Sequence, residues 1–234
     1  MVTQLRLADL YIEVIQKNIK HVHLSVYPPD GHVRVSAPGH MPLETLRAFL
    51  VTKLAWIHDE QRKFRAQERH ELPLYIDRES HYVWGERYLL RVVEQDAPPS
   101  VELGHGTLTL AVRPGSHAAK RDEVLALWYR DRVREAVGEL LPVWERRIGV
   151  KADKIFVQRM KTKWGSCNPK HRAIRLNTEL AKNPRKCLEY ILVHELMHLC
   201  EPTHNTHFRD LMDRHMPTWR DIREELNRQP LSHE

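Results

Sequence analysis

The chain has little cysteine. Three occur in 234 residues, Cys167, Cys187 and Cys200, too few for a disulfide scaffold. An odd number without an export signal suits a reducing cytoplasm. No two form a C-x-x-C pair, which argues against a thiolate zinc knuckle. No apolar run approaches the ~20 residues of a bilayer span, so no membrane partner is expected. The stretch MVTQLRLADLYIEV lacks the apolar core of a secretory signal, and a cytoplasmic location is expected. No internal repeat, low-complexity tract or Gly-rich phosphate loop is visible.

What remains is ordinary soluble composition: 41% hydrophobic, 29% charged, mean hydropathy −0.56. The net charge of +6 permits a polyanionic partner, but an excess of this size commonly only solvates a surface, so nucleic acid is weakly supported. Histidine is more informative. There are 16, and five of them fall between His194 and His215.

Periodicity divides the chain. Tyr11–Ile15, Val22–Tyr27 and Val33–Ser36 alternate as strands, and Leu43 to Glu68 keeps helical spacing. Tyr82–Val93 and Thr107–Val112 return to strand character. A long helix is predicted from Ala118 to Ile148, with Val124, Leu127, Trp128, Val133, Val137, Leu140 and Leu141 inward and a kink or break at Pro142. Ile155–Met160 and Ala173–Leu176 read as strands around a turn-prone Gly165–His171. Asn183-Pro184 reads as a cap and first turn, opening a helix to Cys200 that Pro202 ends. Helices over Phe208–His215 and Thr218–Asn227 close the chain. The fold class is α+β. The expected parts are a β-rich 1–116 with one long helix and a mainly helical 117–234, unless the two form one continuous domain.

Within the Asn183 helix stands His194-Glu195-Leu196-Met197-His198, an H-E-x-x-H. Four helical residues turn by about 400°, so the two imidazoles lie about 40° apart on one face. They can share one metal ion, and Glu195 can take a proton from a water that the metal activates. A third ligand is required, and His204 is the candidate. Its spacing is that of the metzincin motif, with Glu201 where metzincins carry Gly. His207 and Glu201 are the weaker alternatives. Cys200 reads as a small buried residue.

A second signal lies upstream. From Lys151 to Arg175 there are eight Lys or Arg residues and one acid, Asp153. Such a run is usually a solvated strand face, but it directly precedes the metal-binding helix. Trp164 beside Gly165 reads as an aromatic on a tight turn, or simply as core.

Taken in order, Lys163-Trp164-Gly165-Ser166-Cys167, Ile174-Arg175-Leu176-Asn177, His194-Glu195-Leu196-Met197-His198-Leu199 and His204-Asn205 with Phe208 resemble the YgjP-like metallopeptidase family, a metal-dependent hydrolase family related to SprT-like zincins. The resemblance extends over about residues 20–220. It implies a minimal zincin core: an antiparallel-edged sheet packed on the H-E-x-x-H helix, zinc (or another divalent metal) on His194, His198 and His204, and Glu195 as the base. Asn205 stands where many relatives carry Ser.

Three functions compete. A zinc-dependent metallopeptidase would cleave a peptide or protein paired with an edge strand near Arg172–Asn177. The family also implies an alternative, a metal-dependent nucleoside-triphosphate (UTP) pyrophosphatase, in which Lys161, Lys163, Arg172 and Arg175 offset triphosphate charge. With Trp164 and Asn177 these four are the candidate substrate contacts. A structural zinc clip is the third, and Glu195 argues against it because such a site has no use for a base.

Overall fold

A computed structural model describes residues 2–27, 31–66 and 74–228. The chain forms two compact units that divide between residues 71 and 72.

In the first unit, β1 (Val2–Leu7), β2 (Leu10–Lys17), β3 (His23–Tyr27) and β4 (His32–Pro38) form one sheet in the order β1-β2-β4-β3. β2 and β4 run parallel, with Ile12 opposite Val33 and Val14 opposite Val35. These four are buried with Ala37, beneath Leu46 and Leu50 of α1 (Leu43–Thr52) and Ile57 of α2 (Leu54–Ala66). The single helix expected from Leu43 to Glu68 is therefore two, broken at Lys53, whose N–H closes on the Leu50 carbonyl at 3.0 Å. Residues 67 and 68 lie outside the described residues. β1 was not foreseen, because the exposed Thr3, Gln4 and Arg6 dilute the apolar signal of Leu5 and Leu7.

The second unit opens with the same plan. β5 (Ser80–Val83), β6 (Glu86–Glu94), β7 (Ser100–Leu103) and β8 (Thr107–Val112) lie in the order β5-β6-β8-β7, again with a parallel central pair. The strand expected over Tyr82–Val93 is thus a hairpin. Trp84 and Gly85 take φ of 51° and 86°, the left-handed pair that a two-residue hairpin turn requires. β7 was not foreseen either.

α3 (Ala118–Ile148) follows. The His117 side chain accepts from the Lys120 N–H at its start, and Gly149 in the left-handed region ends it. It runs unsplit through Pro142. Val133 and Val137 are buried as expected, but Leu125 and Tyr129 hold the buried positions nearer its start while Leu127 is 49% exposed. Leu108, Leu110 and Val112 of β8 share one core with Leu125, Tyr129 and Val133. The boundary expected near Ser116 therefore falls inside the second unit, because β8 and α3 bury each other's apolar faces.

β9 (Lys154–Gln158), β10 (Gly165–Asn168) and β11 (Ala173–Asn177) make a small sheet in the order β10-β11-β9. β10 runs antiparallel to β11, and β9 parallel. Residues 165–168 were expected as turn. The edge strand expected at Arg172–Asn177 is corrected: β11 is central, with both sides paired, and β10 is an edge. A 3₁₀ segment, Thr178–Lys182, leads to α4 (Arg185–Met197), α5 (Thr206–His215) and α6 (Trp219–Asn227). No helix among the described residues is long and apolar enough to cross a membrane.

Candidate metal centre

α4 is anchored before it begins. The Trp84 and Gly85 N–H groups donate to the carbonyls of Ala181 (2.7 Å) and Lys182 (3.3 Å), which ties the β5–β6 turn to the 3₁₀ segment. Gly85 is required there, since a Cβ would stand 2.9 Å from Pro184 Cγ. Asn183 does not cap α4. Its amide donates to the Glu179 carbonyl at 3.0 Å, and Pro184 holds the cap position. The helix is buried nearly all round rather than on one side, from Cys187 and Leu188 to Leu196 and Met197.

The helix ends at Met197, but His198 keeps helical angles (φ −66°, ψ −13°). It therefore stays one turn above His194. Glu201 shapes the following bend: its Oε1 accepts from the Thr203 N–H at 3.0 Å and hydroxyl at 2.8 Å. That bend returns the chain to the helix. The side chain of Asn205 then caps α5 by accepting from the Phe208 N–H at 2.9 Å. A serine at this position would cap equally well.

His194, His198 and His204 are brought together. One ring nitrogen from each lies within 4.8 Å of the others, and the Nε2 atoms of His194 and His204 are 2.9 Å apart. Three nitrogens at ~2.0–2.1 Å around a tetrahedral ion stand ~3.3 Å apart, so the cluster fits a metal of that size. Phe208, 2% exposed, packs against all three rings with centroids 4.8–5.0 Å away. An Nδ1–H of His198 donates to the Glu201 carbonyl at 3.2 Å, which leaves Nε2 as the ligating atom. Burial holds the His194 imidazole down to about 3, with His198, His204 and Arg223 adding to the shift. The other two are lowered, chiefly by burial. Neutral imidazoles are the metal-binding form. Among the described residues no fourth donor joins the three, which leaves a coordination position open. His207 is exposed and outside the cluster.

Glu195 is only 5% exposed. Burial pushes its carboxyl up to about 8, against the opposing pull of Lys163. It faces a cleft of about 220 Å³ whose walls include Lys163, Trp164, Tyr190, His194 and Arg223. Gly165, at the start of β10, presses directly on the helix: a Cβ there would stand 2.7 Å from both Glu195 Oε1 and Ile191 Cγ2. The glycine serves close approach, not a tight turn. Gly165→Ala is expected to lower stability by about 1–3 kcal/mol, the usual cost of overpacking, and to lower activity more than metal content, because Glu195 is what it displaces. Thermal unfolding and metal analysis of the variant check this.

The six candidate substrate contacts separate. Lys163 and Trp164 line the cleft. Lys161 is exposed and outside its lining. Arg172 donates to the Lys151 carbonyl, and Arg175 lies over the Phe156 ring at 5.5 Å. Asn177 is fully buried. Its amide donates to the carbonyls of Met160 and Lys163, both at 2.8 Å, so it fixes the loop that carries Lys163. Cys200 is exposed rather than buried. Tyr190, Trp219 and Arg223 belong to the site region and were missed. The rings of Tyr190 and Trp219 stack at 6.5 Å, and Arg223 lies one turn further along α6. Only the i, i+4 spacing of Trp219 and Arg223 was available as a signal.

No curated protein matches the chain. Among solved structures, the metallopeptidase zymogen of Pyrococcus abyssi, abylysin, is 22% identical with a TM-score of 0.36, over 38% of this chain and 90% of its own. The zymogen of Methanocaldococcus jannaschii, jannalysin, is 24% identical with a TM-score of 0.34, over 41% and 87%. The model of the YgjP-like family, metallopeptidase domain, matches residues 20–229. That span takes in both the basic strand segment and the histidine helix, and on it the chain belongs to the YgjP-like metallopeptidase-domain family.

Proposed function

We propose that the protein is a zinc-dependent peptidase that uses Glu195 as its general base. The observation that carries this reading is a buried carboxyl on the residue next to a three-histidine cluster with an open position. A structural clip closes four protein ligands and needs no acid beside them.

His194, His198 and His204 would hold the ion. Bound there, a divalent metal supplies a water of lowered pKa and polarises the substrate carbonyl. Glu195 accepts the proton of the attacking water and delivers it to the leaving amine nitrogen. Among the described residues β10 has one unpaired edge, and its first residue packs on Glu195. An extended peptide added to that edge is aligned beside the carboxyl by main-chain hydrogen bonds. This supports peptide over nucleotide, as does the scatter of the basic side chains: of the four proposed for triphosphate, only Lys163 reaches the cleft.

Metal-loaded protein should cleave unfolded protein substrates, stop on chelation and recover with zinc. A nucleotide panel assayed in parallel should remain uncleaved. Nucleoside-triphosphate hydrolysis without proteolysis would reverse the assignment.

A further inference from the structure

Two cations line the cleft. Lys163 comes from the loop before β10, and Arg223 from α6. Each is placed by buried neighbours. Asn177 grips the Lys163 carbonyl from below. Trp219, Ile222 and Leu226 bury the adjoining face of α6, and the Trp219–Tyr190 stack fixes that helix against α4.

Neither cation has a carboxylate partner among the described residues. This sets Arg223 apart on its own helix. Arg220 is paired with Asp213, and Arg228 lies 3.9 Å from Glu224. The cleft lining contains one acid, Glu195. Lys163 and Arg223 already outnumber it, and a divalent ion on the histidines would add two further positive charges. A concave site with such an excess focuses anions.

The cations are placed to meet substrate. Both line the same cleft as His194, one of the three ligands, and Glu195, the proposed base. A group bound between them therefore lies in the cleft where the attack is proposed to occur. The flat fork of arginine suits a carboxylate.

We infer that Lys163 and Arg223 form an anion subsite that selects peptides bearing a carboxylate beside the scissile bond. The carboxylate is either an acidic side chain or a free C-terminus. The inference rests on the peptidase reading above and names its substrate class.

The test uses metal-loaded full-length protein and four matched peptides: neutral or glutamate-flanked, each with a free or an amidated C-terminus. Cleavage is read as kcat/KM. Binding is read by calorimetry on metal-loaded Glu195→Gln, with and without Arg223→Gln or Lys163→Gln. The charged peptides should be preferred by at least about tenfold, as a charge-assisted hydrogen bond provides. That preference should fall in either cation variant, read as the ratio of charged to neutral peptide. Added salt should erode the remainder.

The arm that retains the preference identifies the source, side chain or terminus. Equal binding of charged and neutral peptides overturns the subsite and leaves the peptidase reading intact. Arg223-dependent binding of the acidic peptides without cleavage of any peptide supports the subsite and overturns the peptidase reading instead. Arg223-dependent binding of a nucleoside triphosphate, with no preference among the peptides, overturns the assignment to peptide carboxylates.

Discussion

Glu195→Gln is expected to lower hydrolysis by about 10²–10⁴-fold, the usual contribution of a general acid–base group, and to leave metal content nearly unchanged. The substitution keeps the size of a side chain that is 5% exposed, so the packing against Gly165 and Ile191 is preserved. The amide cannot accept the proton of the attacking water. Metal retention follows because the three histidines alone form the ligand cluster. Steady-state kinetics beside metal analysis check both parts. A variant that keeps its metal and full activity would place the base elsewhere.

His204→Ala should abolish activity and most of the metal binding. His204 is exposed, so its loss leaves no buried cavity, and the thermal stability of chelated protein should change little. What is lost is one of three ligands. The remaining pair, His194 and His198, comes from one helix and cannot enclose an ion. His207→Ala is the matched control, three residues away and outside the cluster, and should retain both metal and turnover. Metal analysis of the two variants separates the ligands. Loss of metal in His207→Ala but not in His204→Ala would exchange their roles.

The parts of the site that were legible in the sequence are those set by local geometry. A helix places residues four apart on one face, so His194 and His198 could be paired from spacing alone. His204 needed only a chain reversal, which a helix stop near Pro202 implies. Position in a sheet is a different matter. Nothing local marks β11 as central and β10 as an edge, because pairing depends on segments far apart in the chain. The same limit affected the lysines and arginines. Lys163 and Arg172 belong to one basic run, yet the first enters the cleft and the second bonds Lys151. Asn177 looked like a polar contact at a strand end and is a buried fastener for the neighbouring loop. Arg223 offered only its i, i+4 spacing from Trp219, since its importance comes from α6 packing beside α4. Trp84-Gly85 was read through as strand because a tryptophan seldom takes positive φ, and only the docked hairpin supports it.

The recurrence of one sheet plan has its own consequence. In the first unit Ile12 and Val14 lie opposite Val33 and Val35. In the second, Leu90 and Val92 lie opposite Leu108 and Leu110 in the same offset. The letters differ at each position while the apolar character is the same, so letter-by-letter reading finds no periodicity. The blueprint is held as a rhythm of inward and outward residues, which many alphabets of side chains can satisfy. The chain thus carries two renderings of one template. The second shares its core with the histidine helix, whereas the first closes over a core of its own.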